Sequence, residues 1–324
     1  MKKKALIIGI SGQDGSYLSE HLLECNYNVF GLVRRHSVAE NQNSRLSFLK
    51  KKVELFYGDL LDSQSIIEVI NKTKPNEIYN LGAMSNVQIS FKIPKFTIET
   101  NGLALVDLLE FFKKYYKNVK FYQASSSEMF GNSIEKNGFQ QLNTAMHPVS
   151  PYGCSKLLAY NLVNHYRFAH KLFLSNGILF NHESVRRGSN FITTKIIKGA
   201  LEIKKGLRTK LEVGNINSFR DWGHSKDYVK AMRLILNYKI PRNWIISTGK
   251  AHSVKNLINY VFDKLDLDFK KHIVISDKYI RPHELKFLKG DSRESRLKLK
   301  WKPEYTFKKM IDEMLDHWTK KFNN

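Results

Sequence analysis

The chain has 324 residues, of which 42% are hydrophobic and 12% aromatic, and its formal net charge is +23 at pH 7. This composition excludes a disordered chain, and no apolar run approaches the ~20 residues that a membrane-spanning helix needs. The lysines are scattered, with the longest clusters at 2–4 and 50–52, which favours a lysine-rich surface and an anionic small-molecule partner over nucleic acid or a membrane.

The chain opens on three lysines and a short apolar run. The run is six residues long before Ser11, which is too short for a signal-peptide core, so we interpret residues 4–10 as a buried first strand. A helix with 3.6-residue spacing is predicted over 15–26 and a second strand over 28–34. Residues 35–49 are polar and predict a loop or a short helix.

The same alternation continues down the chain. Further strands are predicted at 53–57, 77–81, 118–124 and 172–179, and helices at 63–73, 96–115 and 152–170. Alternating strands and helices with short connections predict an α/β protein with a parallel, doubly wound sheet. The pattern becomes irregular after Asn181, where a smaller lobe should begin, and a helix at 225–236 with a strand at 244–248 should return to the sheet.

A glycine turn joins the first strand to the first helix. Gly9, Gly12 and Gly15 stand three residues apart in the strand–turn–helix context of a dinucleotide site. Glycines there allow a pyrophosphate to approach the helix N-terminus, where free N–H groups favour negative charge. The spacing differs from the G-x-G-x-x-G of most dehydrogenases, and a purely structural turn is the alternative.

The end of the second strand carries Arg34 and Arg35 where an acidic residue would bind the ribose of NAD. A guanidinium matches a 2′-phosphate, so the pair favours NADP, against the alternative of two solvated arginines.

Two further strand ends carry candidate cofactor contacts. Asp59-Leu60 follows the third strand, where a carboxylate can accept from an adenine amine or can simply cap a turn. The small residues of Leu81–Ser85 follow the fourth strand, where they allow close approach of a ligand or close packing.

Two segments point to catalysis. Tyr152 and Lys156 are four residues apart, so on a helix they share one face. A nearby ammonium should lower the pKa of the tyrosine and make it a base for a hydroxyl proton. Ser126 and Glu128 follow the fifth strand, at the sheet edge where such folds bind ligands. A second base beside the tyrosine predicts chemistry beyond a simple alcohol oxidation, against the alternative of a capped helix start.

Through these residues the chain resembles the extended short-chain dehydrogenase/reductase family. Within that family it is most similar to the GDP-mannose 4,6-dehydratases. The similarity covers nearly the whole chain. Its most specific segments are Gly9–Gly15, Ile78–Ala83, Phe121–Glu128, Gly177–Ser184, Arg220–His224 and Arg281-Pro282. The resemblance implies a Rossmann-like NADP-binding domain over 1–180, joined again by about 223–250, and a nucleotide-sugar-binding lobe over 181–222 and 251–324.

The resemblance also implies site residues. The catalytic set is Ser126, Glu128, Tyr152 and Lys156. The NADP contacts are Gly9, Ile10, Ser11, Gly12, Gln13, Asp14, Gly15, Arg34, Arg35, His36, Ser37, Asp59, Leu60, Leu81, Gly82, Ala83, Met84, Ser85, Phe96, Tyr152, Lys156, His182 and Arg187. The substrate contacts are Ser85, Ser126, Glu128, Asn181, Lys195, Arg220, Arg281 and Glu284, and no metal is expected.

The implied reaction converts GDP-mannose to GDP-4-keto-6-deoxymannose, with loss of water and internal hydride transfer through tightly bound NADP. The chain departs from the family pattern at Ser126 (usually Thr), Met84 and Asn86 (usually Gln and His), Phe96 (usually Tyr) and Val185 (usually Pro). Because Met84 and Asn86 fall beside the sugar, a 4,6-dehydratase of another GDP-hexose or a GDP-heptose stays an alternative. A nucleotide-sugar epimerase or reductase would not need Glu128, and a silent dinucleotide-binding regulator or nucleic-acid binder would need none of the four catalytic residues.

Location and assembly are the last expectations. The two cysteines, Cys25 and Cys154, provide no disulfide framework, which predicts a cytoplasmic protein. The resemblance implies a homo-oligomer, a tetramer or a dimer, in which the loop over 34–48 reaches a neighbouring cofactor site.

Overall fold

The computed structural model describes residues 2–34, 45–49 and 52–323. The strands are β1 (Lys4–Ile8), β2 (Asn28–Val33), β3 (Glu54–Tyr57), β4 (Glu77–Asn80), β5 (Lys120–Ser126), β6 (Phe173–Leu179), β7 (His182–Glu183), β8 (Leu211–Val213), β9 (Phe219–Asp221), β10 (Gly223–His224), β11 (Asn243–Ile246), β12 (Ala251–Ser253) and β13 (Ile273–Ile275).

The helices are α1 (Gln13–Glu24), α2 (Ser63–Thr73), α3 (Val87–Ser90), α4 (Pro94–Ile98), α5 (Leu105–Tyr115), α6 (Pro151–His170), α7 (Ile192–Lys204), α8 (Ser225–Asn237), α9 (Val254–Lys264), α10 (Phe269–His272), α11 (Arg293–Leu299) and α12 (Phe307–Asn323). Short 3₁₀ turns occupy Ser47–Leu49, Ser127–Phe130 and Asp277–Tyr279. None of the helices so described is both long and apolar enough to cross a bilayer.

A seven-stranded parallel sheet forms the centre, in the order β3-β2-β1-β4-β5-β6-β11. Apolar side chains cover both of its faces: one core packs around α1 and α8, and the other around α2, α5 and α6. The strand order reverses between β1 and β4, so a crevice opens outside their carboxyl ends. The predicted parallel, doubly wound α/β fold is therefore confirmed, and the predicted return to the sheet is β11, which pairs with β6.

A third core lies apart from the sheet. It packs α7, α9 and α12 around Trp222. This core supports the C-terminal part of the chain on the carboxyl side of the sheet. The lobe boundaries given above stay a prediction.

The prediction of one continuous helix over 96–115 is wrong in the middle of that range. A π-helical turn at Glu99–Leu103 separates α4 from α5. The extra residue per turn places Asn101 inward, where its side chain is 4% exposed. Such single π turns often accompany functional sites.

An ion-pair cluster anchors the C-terminal helix. Glu313 on α12 lies 3.0 Å from Nε2 of buried His224 and accepts from Lys226 at 2.9 Å. The contact with His224 lowers the pKa of Glu313 to about 2, burial opposes this, and Lys226 adds to it. Because the pKa of Glu313 is depressed on folding, its stabilisation is complete above the ordinary value of 4.5 and is lost as the pH falls toward 2.

We therefore expect Glu313→Gln to lower the free energy of unfolding at pH 7 by about 1–3 kcal/mol, allowing for solvent screening. The difference from wild type should shrink as the pH is lowered from 4.5 toward 2. Denaturant unfolding followed by tryptophan fluorescence at several pH values measures it. Glu304→Gln is the matched control, because Glu304 pairs with Lys230 in an exposed position and should change stability little. Equal losses for both variants, or a pH-independent loss, would contradict this role.

Candidate functional site

The site is a cavity of about 1070 Å³ at the carboxyl ends of the central strands. Its walls come from the glycine turn, the loop after β4, the end of β5, the start of α6 and the C-terminal lobe. The volume slightly exceeds the range of about 300–1,000 Å³ that is usual for a single small-ligand pocket. Its length runs from the cofactor candidates to the substrate candidates, which suits two ligands side by side.

The glycine turn leaves no room for side chains. Gly9 has φ +82°, and a Cβ there would lie 2.8 Å from the amide nitrogen of Gly82. A Cβ on Gly15 would lie 2.4 Å from the carbonyl oxygen of Gly9. The first turn of α1 begins after Gly12 without a side-chain cap, so its N–H groups face the cavity for an anion. This cradle fits the diphosphate of a dinucleotide.

The structure brings Asp14 and His182 together, although they are far apart in the chain. Nε2 of His182 lies 2.6 Å from Oδ2 of Asp14, and Ser184 donates to Oε1 of Gln13 at 2.8 Å. Burial would raise the pKa of Asp14, but the charge and hydrogen bond of His182 lower it below its usual value. Burial would lower the pKa of His182, but Asp14 raises it. The pair therefore ties the glycine turn to the 181–184 segment.

The cofactor candidates divide into three groups. Those that line the cavity are Gly9, Ser11, Gly12, Gln13, Asp14, Gly15, Leu81, Gly82, Ala83, Ser85, Tyr152, Lys156, His182 and Arg187. Those described but outside its lining are Ile10, Arg34, Asp59, Leu60, Met84 and Phe96. Arg35, His36 and Ser37 lie outside the described residues.

Two of the residues outside the lining have structural roles. The side chain of Ile10 is fully buried in the core. Oδ1 of Asp59 accepts from the amide of Leu61 at 2.9 Å, as in a capped turn. For Asp59 the structure thus shows the turn, and its contact with a cofactor stays a prediction.

The catalytic candidates meet where β5 ends and α6 begins. Oγ of Ser126 accepts from the amide of Glu128 at 3.2 Å and so caps the 3₁₀ turn that carries Glu128. Ser150 caps α6 by accepting from the amide of Gly153 at 3.0 Å. This places Tyr152 and Lys156 in the first two turns of α6, facing the cavity.

The predicted effect of Lys156 on Tyr152 is wrong for this arrangement. Nζ of Lys156 donates to the carbonyl of Ala124 at 2.9 Å and lies 5.8 Å from the centre of the tyrosine ring. Burial raises the pKa of Tyr152 to about 12, a hydrogen bond with Ser126 opposes this, and Glu128 adds to it. Burial lowers the pKa of Lys156 to about 8. Desolvation thus favours the neutral form of each group, although with a pKa of about 8 Lys156 still carries its proton at pH 7.

One carboxylate oxygen of Glu128 can accept a hydrogen bond from a ligand. Its side chain is 9% exposed, Oε1 lies 3.9 Å from Nη1 of Arg281, and Oε2 is buried without a hydrogen-bond partner among the described residues. Oδ1 of Asn181, on the same cavity wall, likewise has none. Buried polar atoms are normally satisfied, so both are suited to a polar ligand.

All eight substrate candidates line the cavity: Ser85, Ser126, Glu128, Asn181, Lys195, Arg220, Arg281 and Glu284. Arg220 is buried, and burial lowers its pKa to about 10. Lys195 lies 3.3 Å from the centre of the Tyr279 ring. Three cations therefore surround one end of the cavity, which suits an anionic diphosphate.

Asn101 is a positioning residue that the sequence analysis missed. Its Oδ1 accepts from the amide of Met84 at 2.8 Å, and its Nδ2 donates to the carbonyl of Met84 at 3.0 Å and to Oγ of Ser155 at 3.1 Å. Ser155 in turn donates to the carbonyl of Tyr152 at 2.7 Å. Asn101 thus links the loop after β4 to the catalytic helix. An Asn-Gly pair inside a predicted helix was the signal that could have found it.

We expect Asn101→Leu to lower turnover by about tenfold to a hundredfold, because the two cavity walls lose their common tether. It should also lower the melting temperature, since both polar groups of the Met84 backbone lose their partner. Steady-state kinetics and thermal unfolding measure both effects. The control is Thr100→Val in the same π turn, whose buried hydroxyl has no hydrogen-bond partner among the described residues. Full turnover in Asn101→Leu would contradict the role of Asn101 in linking the loop after β4 to α6.

Comparison with known proteins identifies the family. A family model described as GDP-mannose 4,6 dehydratase matches residues 6–314. The chain belongs to the GDP-mannose 4,6-dehydratase family. It is 41% identical over 339 residues to the GDP-mannose 4,6 dehydratase of Cricetulus griseus, covering 97% of this chain and 91% of that protein. It is 38% identical over 349 residues to the enzyme of Vibrio cholerae, covering 97% and 93%.

Solved structures share the fold of this family member. The dTDP-glucose 4,6-dehydratase of Bacillus anthracis in complex with NAD superposes with a TM-score of 0.85 at 21% identity, covering 99% of this chain and 98% of that one. RMD from Pseudomonas aeruginosa complexed with NADPH gives 0.81 at 22% identity, covering 99% and 100%. At these identities the likeness supports the Rossmann-like fold alone.

Proposed function

We propose that the protein is a GDP-mannose 4,6-dehydratase, a hydro-lyase that forms GDP-4-keto-6-deoxymannose. The observation that carries this beyond family membership is Glu128, whose buried Oε2 has no hydrogen-bond partner among the described residues, on the cavity wall that also carries Tyr152. A dehydrogenase needs only a base for the hydroxyl proton. A dehydratase needs a second base for a carbon-bound proton, and Glu128 supplies it.

The two ends of the cavity bind different ligands, the dinucleotide at one end and the nucleotide sugar at the other. The glycine turn and the loop after β4, within 1–180, hold the dinucleotide. The segments within 181–222 and 251–324 hold the nucleotide sugar, with Lys195, Arg220 and Arg281 on its diphosphate. The stretch of about 223–250 belongs with the dinucleotide side, since β11 extends the central sheet.

The residues of the chain have separate tasks in the mechanism. Tyr152 takes the proton of the sugar 4-hydroxyl, and Lys156 holds the positive charge beside it. The glycine turn and the loop after β4 would hold NADP, which when bound would supply a reversible hydride acceptor for C4. The hydride would return at C6 and a proton at C5, so that the cofactor would end unchanged. Glu128 removes the proton at C5, which the 4-keto group acidifies. Hydroxide leaves from C6 as water with a proton from Glu128 or Ser126.

Incubation of the purified protein with GDP-mannose and no added reductant tests the proposal. Mass spectrometry should show the loss of one water from the sugar nucleotide, without net formation of reduced cofactor. An unchanged mass would contradict the substrate.

The cofactor is a nicotinamide dinucleotide, and we propose that it is NADP. Arg34, exposed at the end of β2, and Arg35 support a 2′-phosphate contact. We expect the protein freed of cofactor to bind NADP about tenfold to a hundredfold more tightly than NAD, the worth of charge-assisted hydrogen bonds. Replacing both arginines by alanine should remove this difference and leave NAD binding unchanged, as measured by calorimetry. Equal affinities in the wild type would contradict NADP.

The alternative is a 4,6-dehydratase of another GDP-hexose or a GDP-heptose. Met84, which departs from the family pattern, does not line the cavity, and Asn86 caps α3 by accepting from the amide of Ile89 at 3.0 Å. Asn86 does line the cavity, so of these two departures it is the one placed to contact the sugar. A panel of GDP-sugars decides between them. A homo-oligomer stays a prediction, since most of the loop over 34–48 lies outside the described residues.

A further inference from the structure

The ion pair between Glu128 and Arg281 is loose. The two atoms that approach most closely, Oε1 and Nη1, are 3.9 Å apart, and the Arg281 side chain is 27% exposed. A charge-assisted hydrogen bond would bring them to about 2.7–2.9 Å. The guanidinium is therefore held near the carboxylate by charge, without a hydrogen bond to fix it.

A second guanidinium explains why this contact exists. Arg220 is buried, and its Nη1 donates to the carbonyl of Phe219 at 2.8 Å. Burial is the largest influence that lowers its pKa, the charge of Glu128 opposes it, and the charge of Arg281 adds to it. Glu128 and Glu284 thus both offset the repulsion between the two guanidinium groups.

The substrate would offer Arg281 a stronger partner. Under the proposed function, the diphosphate of a GDP-sugar brings two negative charges to the end of the cavity that Arg220 and Arg281 line. A guanidinium forms paired hydrogen bonds with phosphate oxygens. The backbone of Arg281 is already fixed, because its amide donates to Oε1 of Glu284 at 2.8 Å. The exchange therefore needs only a movement of the side chain.

We propose that Arg281 exchanges partners when substrate binds: it leaves Glu128 for the diphosphate, so that the base loses its ion pair only when a sugar is present to react. This inference rests on the proposed function, which supplies the diphosphate. It makes Arg281 a coupling residue as well as a binding residue. Besides Arg281, the charge of Glu128 acts on Arg220 on β9 and on Tyr152 on α6.

A double-mutant cycle on binding tests the exchange without turnover. The ligand is GDP, which carries the diphosphate and no sugar, and calorimetry gives Kd for wild type, Glu128→Gln, Arg281→Gln and the double variant. Glu128→Gln should bind GDP about threefold to fivefold more tightly than wild type, because no ion pair has to be broken. In the Arg281→Gln background the same change should gain less than about twofold.

Lys278→Gln is the matched control. Lys278 also lines the cavity and has no carboxylate partner among the described residues. Its loss should weaken GDP binding, yet Glu128→Gln should keep its full gain in this background. An equal gain with and without Arg281 would overturn the exchange and leave only a long-range effect of charge. No gain at all in Glu128→Gln would also overturn it, whereas absence of GDP binding in every variant would contradict the proposed function itself.

Discussion

Glu128→Gln should lower turnover of GDP-mannose by about 10²–10⁴-fold, the usual effect of removing a general base. The amide keeps the shape of the side chain but cannot take the C5 proton, so water loss should stop. Dinucleotide binding should be unchanged, because Glu128 lies at the end of β5 and not at the glycine turn. Mass spectrometry of the sugar nucleotide and calorimetry with the dinucleotide measure the two effects.

Glu294→Gln is the control for Glu128→Gln. Glu294 is 44% exposed, pairs with Arg242 at 2.6 Å and lies outside the cavity lining, so its replacement removes the same charge away from the site. We expect it to turn over within about twofold of wild type, as for most surface substitutions. Turnover of Glu128→Gln within tenfold of wild type would remove Glu128 from its assigned role.

Tyr152→Phe should lower turnover by a similar factor of about 10²–10⁴, because it removes the hydroxyl to which we assign the 4-hydroxyl proton. Because burial raises its pKa to about 12, Tyr152 carries its proton at neutral pH in this structure. The loss should appear in turnover and not in the affinity for GDP, whose diphosphate is expected at the far end of the cavity.

Tyr122→Phe is the matched control for Tyr152→Phe. The hydroxyl of Tyr122 is buried on β5 and has no hydrogen-bond partner among the described residues. Its removal should leave turnover and folding close to wild type. If Tyr152→Phe retained substantial turnover while folded, another group would have to be the base.

The structure explains why serine can replace threonine at position 126. Its hydroxyl caps the turn that carries Glu128 and opposes the rise in the pKa of Tyr152. Both effects need an oxygen and neither needs a methyl group. The chain can therefore keep the arrangement with serine where the family usually has threonine.

The sequence by itself determined the features that depend on neighbours along the chain. The alternation of strands and helices predicted the parallel sheet, because burial of a strand or of one helix face imposes its own period. The glycines at 9, 12 and 15, and the spacing of Tyr152 and Lys156, likewise placed a ligand turn and a shared helix face. The substrate-binding residues were predicted from the resemblance to the family, because residue spacing alone does not indicate which side chains bind a nucleotide sugar.

Only the tertiary structure decided which side chains meet. Asp14 and His182 are 168 positions apart, and their contact depends on how the C-terminal lobe sits over the sheet. Asn101 interrupts its helix because Met84 and Ser155 offer hydrogen bonds that no local pattern contains. Lys156 donates a hydrogen bond to the carbonyl of Ala124, and burial rather than the charge of Lys156 has the largest effect on the pKa of Tyr152. Desolvation and long-range contacts depend on the packed molecule as a whole, so the electrostatics of this site could not be predicted from residue spacing.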